Sequence, residues 1–128
     1  MKVRYIISEN WKTREISTVM QAVDFAIKYY KLDKGHLTVK LVNDIPEDAT
    51  AERKRSNRFE VRIKPPKKDI LLNCVFHEMT HVRQFAIDGY RPRISSSRGF
   101  VEYMLTPQEM EARAMEEVLI HLFEEEQS

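Results

Sequence analysis

The sequence predicts an α+β fold: a small twisted mixed sheet of three or four strands, a backing helix, a histidine-bearing helix and a C-terminal glutamate-bearing helix. Three observations carry this. Short runs rich in β-branched residues occur at 3–8, 37–42 and 59–63. Apolar residues recur at i, i+3, i+4 and i+7 from Ile16 to Tyr30. From Asp69 to Asp88 no Gly or Pro interrupts a second stretch of helical spacing.

In chain order, Val3 to Ser8 reads as a first strand. Thr13 is the expected N-cap of the next segment, in which Ile16, Val19, Met20, Val23, Ala26, Ile27 and Tyr30 form one apolar stripe. That helix ends before Asp33-Lys34-Gly35, and Leu37 to Val42 reads as a second strand. Asn43 to Asn57 is polar and carries Arg53, Lys54, Arg55 and Arg58. It reads as a solvated hairpin tip rather than a nucleic-acid patch, because no aromatic side chains alternate with the charges to stack bases. Phe59 to Ile63 alternates as a strand with one wet face, and Pro65-Pro66 ends it. Tyr90 to Arg98 reads as an irregular loop, Phe100 to Leu105 as short and mixed. Thr106-Pro107 opens a last helix with the apolar stripe Met115, Val118, Leu119, Leu122 and Phe123, and an acidic tail follows.

The 128 residues suit one domain spanning 1–128, and 42% hydrophobic residues suffice for a core. Twenty-one basic against twenty acidic side chains leave a net charge of +1, which argues for neither nucleic acid nor an anionic membrane as partner. The single Cys74 excludes an internal disulfide and suits a reducing compartment. The apolar run near Met1 is too short for a signal peptide and no stretch is long enough to span a bilayer, so the expected location is cytoplasmic.

The chemistry-bearing stretch is His77-Glu78-Met79-Thr80-His81, an H-E-x-x-H pattern on the third of these segments. At ~3.6 residues per turn the two histidines stack one turn apart, where both imidazoles reach one Zn²⁺. Glu78 projects ~100° further round, beside a metal-activated water rather than on the metal. Leu71, Val75, Met79, Val82 and Ala86 form the apolar face, with Asn73, His77, His81, Gln84 and Asp88 opposite. The bland alternative is a solvated face that happens to carry two histidines. Cys74 reads as a small buried hydrophobe rather than a thiol on the metal.

A catalytic zinc needs a third protein ligand. His36 precedes the helix and His121 lies late in the last one, so a carboxylate is the better candidate: Glu102, Glu109 or Glu111. Glu109 also completes a capping-box pattern with Thr106, and Glu111 lies nearer the apolar stripe.

H-E-x-x-H followed by a helix reading Glu109-Met110-Glu111-Ala112 resembles the gluzincins, zincin-fold zinc metallopeptidases whose third ligand is a glutamate in E-x-x-A. The order of elements also resembles the minimal single-domain archaeal and phage members. The resemblance implies a zincin-like fold, one Zn²⁺ per chain held by His77, His81 and Glu109, with Glu111 the runner-up ligand, and Glu78 as general base in peptide-bond hydrolysis. Where many relatives have Asp or Asn after the alanine, this chain has Arg113. The resemblance further implies that Phe59, Glu60, Val61, Arg62 and Ile63 form the upper edge strand that pairs with a peptide or protein substrate. Tyr90, Arg91, Arg93 and Tyr103 flank the site and are candidates to assist the oxyanion, Tyr90 and Tyr103 foremost. Some minimal relatives are kept latent by a terminal segment or a second copy, so a self-inhibiting dimer is one expectation. The alternative function is a latent or non-catalytic, metal-stabilised protein-interaction module.

Overall fold

The computed structural model describes residues 1–65, 70–90 and 104–128. In chain order the elements are β1 (Lys2–Ile7), α1 (Thr13–Tyr30), β2 (His36–Leu41), β3 (Ala49–Arg55), β4 (Arg58–Ile63), α2 (Leu71–Ala86) and α3 (Pro107–Gln127). Among the described residues this is a mixed α+β architecture of one four-stranded sheet and three helices. None of those helices is long and apolar enough to cross a membrane.

The strand order is β1-β2-β4-β3. β1, β2 and β4 run parallel, and β3 pairs antiparallel with β4 at the outer position. Parallel neighbours need a crossover, and α1 supplies it between β1 and β2. Leu37, Val39 and Leu41 of β2 stand in register with Phe59, Val61 and Ile63 of β4. All six are buried with Val19, Ala22, Val23 and Ala26 of α1 and Val75, Phe76, Met79 and Val82 of α2. The three helices meet at three rings set edge to face: Phe25, Phe76 and Phe123 lie 5.6–6.1 Å apart, centroid to centroid.

Several sequence expectations are corrected here. Lys12, not Thr13, is the N-cap of α1, and the Glu15 carboxylate accepts its backbone N–H at 3.0 Å. Seven residues of the stretch expected as a hairpin tip form β3, because Ala49 and Ala51 pair with Ile63 and Val61 and face the core. On the polar face of β4, Arg58 is exposed and Arg62 half-buried as expected, but Glu60 is buried, its carboxylate held by Lys40 (2.9 Å) and Arg62 (2.8 Å) from the neighbouring strand and its own. The long aliphatic stems of those cations cover that side of the sheet in place of a helix. Burial works against the Glu60 anion, but the hydrogen bonds from Lys40 and Arg62 outweigh it and hold the pKa below the usual value. On α3, Val118 is exposed, and the inward line instead runs Glu109, Ala112, Leu119 and Phe123.

Ser56-Asn57 links β3 to β4, with Asn57 in the left-handed region at φ 61°. Its carbonyl oxygen accepts the His36 N–H at 2.8 Å, so the turn is pinned to the start of β2. Gly35 makes this approach possible: its φ is +103°, and a Cβ there would lie 2.7 Å from the Asn57 carbonyl oxygen. Gly35→Ala is therefore expected to destabilise the protein by roughly 2–3 kcal/mol. Urea unfolding measures this, and a loss below ~0.5 kcal/mol would show that the turn relaxes freely.

Candidate metal centre

The side of α2 that carries the histidines is not solvated. α3 packs along it in antiparallel sense, so that Asn73 meets Glu116, and Gln84 meets Gln108 and Glu111. Two polar residues of α3, Glu109 and Glu116, lie on the same inward line as Ala112, Leu119 and Phe123, spaced three and four residues apart. The last helix thus presents carboxylates at one end of its buried stripe and hydrocarbon at the other.

Between the helices, His77, His81 and Glu109 converge, with one potential ligand atom from each all within 4.8 Å of one another. Both Glu109 oxygens are engaged: Oε2 lies 2.9 Å from His77 Nε2, and Oε1 lies 2.8 Å from His81 Nε2. The capping competition is resolved locally, since the Thr106 hydroxyl oxygen accepts the Glu109 backbone N–H at 3.4 Å while the carboxylate reaches the imidazoles. Glu111 is placed differently from expectation. Its side chain is 43% exposed against 7% for Glu109, and it accepts from Gln84 Nε2 at 2.9 Å and Arg83 at 3.2 Å. It braces a neighbour of His81 and does not join the cluster.

The second nitrogen of each ring is also occupied. His77 Nδ1 lies 2.7 Å from Glu116 Oε2, and His81 Nδ1 lies 2.7 Å from Gln84 Oε1. The Gln84 amide orientation is set independently, because its Nε2 donates to the Gln108 carbonyl oxygen (3.0 Å) and to Glu111. Gln84 Oε1 is therefore an acceptor, and a carboxylate accepts only, so both Nδ1 atoms carry hydrogen. In neutral imidazoles each Nε2 then aims a lone pair at a Glu109 oxygen, which is repulsive. Two arrangements satisfy the geometry: two imidazolium ions with ring centroids 4.9 Å apart, or one cation shared by the three side chains. A set of two imidazoles and one carboxylate could hold a divalent first-row metal ion.

Without a cation the charges distort the titrations. Burial opposes charging of His77, yet Glu109 and Glu116 at its nitrogens outweigh this and push its pKa up to about 10. His81 moves the same way, burial again opposing and Glu109 prevailing. Glu78 is buried, and its pKa is pushed up to about 7 against the pull of His81 and His77. Its carboxylate has no hydrogen-bond partner among the described residues. Burial, then the carboxylates of Asp48, Glu78 and Glu116, raise the Cys74 thiol to about 12, so it is a neutral thiol packed against the core.

Glu78 and His77 line a groove of about 400 Å³ whose other walls are Asp48, Ala49, Ile70, Asn73, Cys74 and Glu116. Ala49 opens β3, and β3 is the outer strand beside the groove. This corrects the expectation for Phe59, Glu60, Val61, Arg62 and Ile63: β4 is paired on both sides, by β2 and β3, so its backbone is closed to a substrate. Sequential order placed β4 next to α2, but hairpin pairing put β3 outside it. Tyr90 is not in this groove. Its ring stacks on Phe85 at 6.0 Å, and it lines a neighbouring hollow with Gln84 and Glu111. Arg113 donates to the Met104 carbonyl oxygen and not to either histidine. His121 pairs with Glu125 on the surface. Arg91, Arg93, Glu102 and Tyr103 lie outside the described residues.

The H-E-x-x-H motif assigns no role to Glu116, Asn73 or Gln84, which contact the histidines or their partners. The readable signal for Glu116 was its phase: it falls seven residues after Glu109, on the line shared with Leu119 and Phe123. No protein-family model, curated protein or solved structure matches the chain.

Proposed function

We propose that the protein is a zinc-dependent metallopeptidase of zincin-like, gluzincin-type fold, with His77, His81 and Glu109 holding one Zn²⁺ and Glu78 as general base. The observation that carries this is the pair of imidazoles whose Nε2 atoms converge on one carboxylate while Glu116 and Gln84 oxygens face their Nδ1 atoms. Bound zinc would supply Lewis acidity and lower the pKa of a water toward ~7. Glu78 opens on the groove without joining the ligand set, so its carboxylate would accept the proton of the attacking water and return it to the leaving nitrogen. Among the described residues β3 is the outer strand, and its backbone N–H and C=O groups would pair with an extended peptide laid along the groove. Glu78 also weighs against a purely structural metal: its carboxylate opens on the groove and contributes no atom to the ligand cluster, so a structural site would have no use for it.

Elemental analysis of the purified protein, paired with a peptide-hydrolysis assay, tests the reading. About one zinc per chain is expected in the wild type and in Glu111→Ala, and none in His81→Ala or Glu109→Ala. A folded wild type that takes up no zinc when it is supplied would overturn the reading. Zinc at full occupancy with no cleavage of any peptide library would leave a metal-stabilised interaction module.

A further inference from the structure

We propose that Glu116, braced by Asn73, is a positioning residue for His77, and that it makes the two histidines unequal metal ligands. The inference rests on the metal centre proposed above.

The geometry is a chain of three side chains from two helices. Asn73 sits one turn before His77 on α2, and its Nδ2 donates to Glu116 Oε1 at 3.1 Å. The other Glu116 oxygen, Oε2, faces His77 Nδ1 at 2.7 Å. The His77 ring is therefore clamped between two carboxylates of α3, Glu116 at Nδ1 and Glu109 at Nε2. Neither can swing away cheaply, because Glu116 is largely covered and both of its oxygens are engaged. This clamp fixes the tautomer that leaves Nε2 as the donor atom, and it fixes the ring plane.

His81 is held by a different device. Its Nδ1 hydrogen meets the neutral amide oxygen of Gln84 at 2.7 Å, and Gln84 is in turn held by Gln108 and Glu111. An anion at Nδ1–H pushes electron density toward Nε2, whereas an amide does so weakly. His77 is thus the stronger donor of the pair. Nothing else among the described residues touches His77 Nδ1, and Arg113 points to Met104 instead.

The test is metal affinity, read by competition with a chromophoric chelator, on the full chain as wild type, Glu116→Gln, Glu116→Ala and Asn73→Ala. Glu116→Gln keeps the shape and an acceptor oxygen but removes the charge. It is expected to bind Zn²⁺ about 10- to 100-fold more weakly, with Glu116→Ala weaker still and Asn73→Ala affected less. Absorption of the Co²⁺-loaded forms supplies a readout that a merely structural role would not move. The ligand-field band should shift in Glu116→Gln while His77 and His81 remain ligands. Wild-type affinity and an unchanged Co²⁺ spectrum in a folded Glu116→Gln would overturn this proposal alone. A wild type that binds neither metal would overturn the metal centre and this proposal with it. Should Glu116→Ala fail to fold, Asn73→Ala still decides the matter, since loss of the brace without any loss of affinity also overturns it.

Discussion

Glu78→Gln is expected to abolish peptide hydrolysis, lowering kcat by about 10²- to 10⁴-fold, while zinc content stays at one per chain. Glu78 neighbours both histidines on α2 yet contributes no atom to the cluster of His77, His81 and Glu109. Its side chain opens instead on the groove that ends at Ala49. The amide is nearly the same size and cannot accept a proton at neutral pH, so the fold and the ligand set survive and the proton transfer does not. A second consequence separates this from a general loss of structure. In the metal-free protein, burial raises the Glu78 pKa from 4.5 to about 7, so its ionised form is disfavoured in the folded state. Glu78→Gln removes that penalty and should raise the Tm of the metal-free protein at pH 8. Metal content, kcat and the melt are measured on one preparation. Hydrolysis within about threefold of wild type, with zinc retained, would remove Glu78 from the reaction.

Stripping the metal is expected to lower Tm by roughly 10–20 °C at a free zinc level 1,000-fold above Kd, where ligand linkage is worth about 4 kcal/mol. The gap should widen as pH rises. His77 has a folded pKa of about 10 against 6.5 unfolded, so its contribution to metal-free stability is fully present below pH 6.5 and is lost as pH climbs through 10. His81 shifts in the same direction. Glu78, raised from 4.5 to about 7, adds the same sign at lower pH: the folded state holds its proton more tightly, so stability falls as pH rises through that interval. These three groups therefore all act to weaken the metal-free protein as pH rises between about 4.5 and 10. A bound cation would take the place of the Nε2 protons, and the fall would be blunted. Thermal melts at pH 5.5, 7.5 and 9.5, with zinc or with chelator, make the comparison. Metal-free stability that is flat or rises across this range would show that the imidazoles are not held as cations by Glu109 and Glu116.

Both results turn on how α3 meets α2. The seam between them is polar along Asn73, His77, His81 and Gln84, and apolar at Phe76 and Phe123. The apolar end docks the helix whatever the state of the cluster. The polar end is favourable only when something positive, protons or a cation, sits between the imidazoles and Glu109. That divided seam explains why a change confined to one or two protons can alter the stability of the whole domain.

Features of this protein that depend on near neighbours in the chain are legible from residue order alone. Helical spacing places His77 and His81 one turn apart with Glu78 turned aside, and the β-branched runs account for β1, β2 and β4. Both follow from backbone periodicity, which a few residues set on their own. Tertiary structure decided the remainder. Whether Glu109 or Glu111 faces the histidines depends on the rotation and antiparallel docking of α3 on α2, and two residues along a helix is a turn of about 200°. Glu116 and Asn73 meet across 43 residues of chain, so neither could name the other locally. Strand order is equally nonlocal. The pairing of β3 outside β4 closed the backbone of Phe59–Ile63 on both sides and made the outer strand, among the described residues, of a stretch that composition alone marks as solvated. Periodicity is written in adjacent residues; partnership between elements is settled only when the core that both must cover has closed.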